Sequence, residues 1–151
     1  MSSTERVGIF IDGNSLYAAA SSLGFDVDYR RLLQFYRRSG KLVCARYFTS
    51  MDGEDVCSPV GPLIDWLADN GFSIVSKPDN DEIAASGPRP RTSMAIEMTV
   101  DALRLAGGLD HLVLFWDAAD VAAVVRALQD MGKRVSVIST SHSASAAGPR
   151  L

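Results

Sequence analysis

"VGIFIDGNS", Val7 to Ser15, sets a short run of apolar and small residues directly before an aspartate-led turn. An apolar run without alternation, bounded by turn residues, reads as a strand buried on both faces, and "DGNS" reads as a turn and helix cap. The helix follows in "SLYAAASSLG". A strand buried on both sides needs neighbours, and the rest of the chain supplies them in alternation. "DYRRLLQFYRRSG" predicts a helix with Leu32, Leu33, Phe35 and Tyr36 inward, a basic outer face, and Gly40 at its C-terminal cap. "KLVCARYFTS" predicts a second strand, with Val43 and Cys44 buried and the Arg46/Phe48 alternation placing its end near the sheet edge.

The pattern continues to the end of the chain. "GPLIDWLADNG" has Pro62 in its first turn and Gly71 at its stop, as helices prefer. "FSIVSKP", "HLVLFW" and "KRVSVIST" read as three more strands. "TSMAIEMTVDALRLAGG", which Thr92 or Ser93 is expected to cap, and "AADVAAVVRALQDMG" read as helices. "DNDEIAASGPRPR" is a polar loop of a length that is usually functional or disordered. Regular alternation of strands and helices predicts one α/β domain over residues 1–140: a parallel, doubly wound sheet with helices on both faces. Residues 141–151, small and polar, are expected to be a flexible tail.

Composition narrows the function. The chain has 151 residues, 47% of them hydrophobic, and a net charge of −3, which argues against a strongly basic nucleic-acid binder without excluding a local basic patch. Cys44 and Cys57 are too few for a disulfide framework or zinc cluster, and no apolar run is long enough to cross a bilayer. A start without a signal-peptide pattern completes the expectation of a cytoplasmic protein with no membrane partner. No phosphate loop, dinucleotide fingerprint or Ser, His and Asp arrangement stands out; His111 reads as a strand-edge residue and His142 as part of the tail.

Parallel α/β folds place their sites beyond the carboxyl ends of the strands. That rule nominates Asp12 to Ser15, Thr49, Ser50, Lys77, and Trp116 to Asp120. Carboxylates at two strand ends suit a hard divalent cation and phosphodiester hydrolysis. The same aspartates also serve as ordinary helix caps or first-turn acids, and spacing alone does not separate the two readings.

Several motifs in one order, "FIDGNSLY", "PLIDWLADNGFSIVSKP", "MAIEMTVDAL", "DHLVLF" and "ALQDMGKRVSVIST", resemble the NYN domains of the LabA-like group within the PIN-like nuclease fold. The resemblance covers roughly Val7 to Thr140. It implies a metal-dependent ribonuclease or RNA-processing protein, with Mg2+ or Mn2+ held by acids from the first strand, a later helix and the turn after strand four. Asp12 and Asn14 match the first motif. Where the family tends to show Lys-Gly-Asn-Met-Asp-Ile-Glu this chain has "RTSMAIE", so Ala95 replaces the site aspartate, while Glu97 and Asp101 match further acidic positions. Their helical spacing with Arg104 also fits a solvent-facing stripe, the reading favoured here. Where the family shows Ser-Gly-Asp-Gly-Asp-Phe the chain has "WDAADV": Trp116 replaces the serine, Asp117 a glycine, Ala118 an aspartate and Val121 the phenylalanine, and Asp120 keeps its place. The family's further C-terminal helix is not expected in the stretch that ends at "GPRL".

The site expected by resemblance therefore has Asp12, Asp117 and Asp120 as its acids, Asp12 and Asp120 as metal ligands at most weakly, and Asn14, Ser15, Tyr17, Lys77, Arg91, Glu97 and Trp116 toward a substrate. Arg89, Arg91 and Lys77 would meet phosphates, and Tyr17 or Trp116 would stack a base. Three functions follow in order of rank: an RNA-related domain with its ribonuclease activity lost or strongly reduced; a small-molecule pocket floored by Trp116 with Asp12 or Asp117 as acid or base; and a Mg2+- or Mn2+-dependent ribonuclease with a reduced acid set. A homodimer is compatible with all three.

Overall fold

A computed structural model describes residues 4–24, 26–51, 60–78, 94–117 and 121–139. Five strands, β1 (Arg6–Asp12), β2 (Lys41–Met51), β3 (Ser73–Pro78), β4 (His111–Phe115) and β5 (Arg134–Ile138), form one all-parallel sheet in the order β3-β2-β1-β4-β5. The helices are α1 (Gly13–Leu23), α2 (Tyr29–Ser39), α3 (Val60–Asp69), α4 (Ala95–Leu105) and α5 (Val121–Asp130). The doubly wound α/β expectation holds.

Alternation along the strands divides the core in two. Val7, Ile9 and Ile11 of β1 and Val113 of β4 pack with Leu16, Leu33, Tyr36 and Leu67 from α1, α2 and α3. Phe10, Leu112 and Leu114 point the other way and pack with Met98 and Ala102 of α4 and Val124 and Leu128 of α5. β1, buried on both sides and paired on both edges, is the centre of the molecule, as its unbroken apolar run requires. At about 25 cal/mol per Å2 each fully buried Ile, Leu or Phe side chain contributes roughly 1.5–3 kcal/mol, so these two layers dominate stability.

Several local expectations are corrected. Val43 is exposed and Cys44 half-buried, because the β1 and β2 register shifts between Val7 and Gly8 and the extra residue turns outward. β2 lies inside the sheet and β3 takes the edge. Phe35 is 53% exposed: Tyr29, Leu33 and Tyr36 fill the buried stripe of α2, and Phe35 lies to one side of it against the Tyr36 ring. Gly40 does cap α2, in extended rather than left-handed backbone. Met94 occupies the cap position of α4, with no side-chain hydrogen bond, and Thr92 and Ser93 lie outside the described residues. The long polar loop and the tail from residue 140 lie outside the described residues. Among the described residues no helix is long and apolar enough to cross a membrane.

Candidate functional site

The chain runs β1 to β2 to β3 on one side and returns to β4 on the other, so the order of the sheet reverses between the carboxyl ends of β1 and β4. That switch point is where open α/β sheets leave a crevice. Asp12 ends β1 there and Asp117 follows β4.

Asp12 is fixed by its own helix. It is the N-cap of α1, accepting from the Ser15 backbone N–H at 3.4 Å through Oδ1 and from the Ser15 hydroxyl at 2.9 Å through Oδ2. Burial pushes its carboxyl above the ordinary aspartate value, against these hydrogen bonds, and the charge of Asp117 pushes the same way. Gly13 is required beside it, since a Cβ there would fall 2.3 Å from the Tyr47 ring and 2.8 Å from the Phe48 carbonyl oxygen. Asn14 accepts a 3.0 Å hydrogen bond from the buried Thr49 hydroxyl, which ties the β1 turn to β2. The strand-end rule nominates Thr49 by place alone; its role as the anchor of Asn14 needs the β1/β2 register, which no single motif contains.

The other arm is built differently from the expectation. Trp116 continues the side of β4 that carries Leu112 and Leu114, so its indole enters the α4 and α5 core and is 3% exposed. Its backbone N–H donates to the Ile138 carbonyl at 3.2 Å. Among the described residues its indole is covered rather than offered to a ligand. Asp117 turns the opposite way, exposed, and accepts from the Ser139 hydroxyl. Ser15, Leu16, Phe115, Trp116, Asp117 and Ile138 enclose only about 10 Å3, room for about one water.

The other expected residues divide between those placed elsewhere and those not described. Tyr17 lines a crevice with Ala20, Val27, Tyr29 and Leu63 toward α2 and α3. Lys77 lies in β3, opposite Ser50 and one strand beyond β2. Asp120, Arg89, Arg91 and Ala118 lie outside the described residues. The solvent-facing stripe on α4 is overturned. Asp101 is buried and ion-paired with both Arg46 of β2 and Arg104, and Glu97 is half-buried with its Oε1 shielded from water. Helical spacing finds which residues share a face; it does not say which face meets the sheet.

A hard cation takes oxygen ligands, of which one or two protein carboxylates can suffice. Among the described residues no group of three His, Cys, Asp or Glu side chains converges; half-buried Asp12, which accepts from Ser15, and exposed Asp117 are the acids at the switch point. Asp120, the other acid expected as a metal ligand, lies outside the described residues.

A parallel sheet in this order, with its acids at the β1/β4 switch point, defines a PIN-like α/β protein. More specifically, the chain belongs to the NYN domain family, whose model matches residues 6–149. It is similar to the low amplitude and bright protein LabA of Synechococcus elongatus, 28% identical over 141 residues that cover 89% of this chain and 74% of that relative. Its fold is similar to the crystal structure of a protein of unknown function from Vibrio parahaemolyticus, with a TM-score of 0.71 and 19% identity over 92% of this chain and 85% of the other.

Proposed function

We propose that this NYN domain is an RNA-related protein in which the metal-dependent ribonuclease activity of its superfamily is lost or strongly reduced. The observation that supports this reading is that among the described residues no third acid joins Asp12 and Asp117 at the switch point. Ala95 at the start of α4 offers no ligand, and Trp116 is committed to the core. Metal-site residues act as a unit, so loss of one positioning carboxylate removes most of the rate. The alternative of a metabolite pocket over Trp116 is disfavoured by the 10 Å3 of space beside it.

The test is cleavage of a labelled single-stranded RNA in Mg2+ or Mn2+. The natural chain is expected to leave it intact, and Ala95→Asp combined with Ala118→Asp to restore cleavage. Cleavage by the unaltered chain that Asp12→Asn or Asp120→Asn abolishes defeats the proposal. Retention of RNA that weakens steeply with salt is the expected residual activity, because phosphate contacts release counterions.

A further inference from the structure

A second constellation lies at the other end of the sheet. His111, the first residue of β4, is buried with its Nε2 2.8 Å from the Ser136 hydroxyl of β5 and its Nδ1 3.9 Å from Glu5 Oε1. Glu5 is held from behind by Arg134, whose Nη1 donates to both carboxylate oxygens at 2.8 and 3.0 Å. Hydroxyl, imidazole and carboxylate thus stand in sequence, one on each ring nitrogen. All of them line a groove of about 790 Å3 between α2 and the β4/β5 half of the sheet, walled by Leu32, Phe35, Tyr36, Phe115 and Ile138. An apolar groove with a few convergent polar groups is the usual form of a small-ligand site.

A buried histidine bonded to a serine is often no more than a satisfied core residue. Two features go beyond that: the second ring nitrogen faces an acid, and the serine lies on an open groove large enough for a ligand. We propose that this groove is an acyl-ester site, with Ser136 as nucleophile, His111 as its base and Glu5 as a positioning residue. The inference does not rest on the Asp12 end of the sheet.

The chemistry balances without a cofactor. The Ser136 oxygen bonds to the ester carbonyl carbon while its proton passes to His111 Nε2. That proton then goes to the departing alkoxide as the carbon–oxygen bond breaks, and a water, deprotonated by the same nitrogen, releases the acid and restores the hydroxyl. Burial and the Arg134 charge both lower the His111 pKa, which keeps the imidazole neutral and able to accept the proton. Arg134 lines the same groove with its guanidinium held on Glu5. At 3.9 Å Glu5 is beyond hydrogen-bond reach of Nδ1, and the reaction requires it to close in when substrate fills the groove. Phe35, exposed on α2, becomes the apolar wall for the acyl chain.

The full chain is treated with an alkyl fluorophosphonate and assayed with 4-nitrophenyl butyrate. A phosphonate adduct on Ser136 is expected, with ester turnover falling roughly 100-fold or more in Ser136→Ala and in His111→Gln. Glu5→Gln should lower kcat and leave KM unchanged. Ser136→Cys gives a check that keeps the buried imidazole: the introduced thiol should react with iodoacetamide faster than Cys44. An unlabelled Ser136, ester turnover that survives Ser136→Ala, or an introduced thiol that reacts no faster than Cys44 overturns the proposal.

Discussion

Replacing Asp101 by asparagine removes one charge from a three-member cluster whose members differ sharply in exposure. The side chains of Asp101 and Arg46 are 10% and 22% exposed, whereas Arg104 is 60% exposed. The Arg104 contact is an i,i+3 helix pair near water and is worth about 0.2–0.5 kcal/mol. The Arg46 contact joins α4 to β2 inside the protein, and breaking a buried pair from one side costs about 3–5 kcal/mol because the partner charge is left without compensation. Asp101→Asn should therefore cost roughly 3 kcal/mol, on the order of 10 °C in Tm for a chain of this size, while Arg104→Ala costs under about 0.5 kcal/mol. Urea unfolding followed by circular dichroism gives both values. Arg46→Met with Asp101→Leu should recover most of the loss, since apolar replacement of a buried pair is often neutral or better. If Asp101→Asn costs no more than Arg104→Ala, or the double substitution is as damaging as the single, the buried-pair account is wrong.

The Asp12 carboxyl is raised in the folded state, so the folded protein binds its proton more readily than the unfolded chain, and stability falls as pH rises through the unfolded value near 3.8 toward the folded one. Asp12→Asn, which keeps a good N-cap, should raise Tm at neutral pH and lose that advantage in acid; a lower Tm at pH 7 counts against the burial penalty. His111 has the opposite linkage: its pKa is lowered, so the contribution is present above the unfolded value near 6.5 and lost as pH falls below it. Melting curves of His111→Gln should show a flatter decline between pH 7 and 5 than the natural chain, and an equal slope contradicts this. Gly13→Ala forces the Tyr47 ring or the Phe48 backbone to move and should cost about 1–3 kcal/mol in denaturant unfolding; a neutral substitution there means the turn is looser than described.

The sheet was legible because β1 and β4 carry unbroken apolar runs that only a two-sided burial tolerates, and because each is followed by a helix signal. The direction of individual side chains was less so. Trp116 beside two aspartates looked like part of a site, yet it keeps the two-residue phase of Leu112 and Leu114, and that phase sends it into the core. Val43 went wrong for the converse reason, since the register shift beside it breaks the alternation and leaves no mark in composition. Asp101 sits next to Met98 and Ala102 on the helix wheel, at the border of the buried stripe, and Arg46 on another element decides its fate. Glu5, His111 and Ser136 lie far apart along the chain and meet only through the pairing of β4 with β1 and β5.

The central proposal, that the Asp12 end holds no divalent ion, is tested most directly by titrating the purified chain with Mn2+ and following its Tm. An ion present at 100 times its Kd would add about 2.7 kcal/mol, or roughly 5–10 °C here. The account predicts no shift at millimolar Mn2+, in the natural chain or in Asp12→Asn; a rise of that size in the natural chain, abolished in Asp12→Asn, contradicts it.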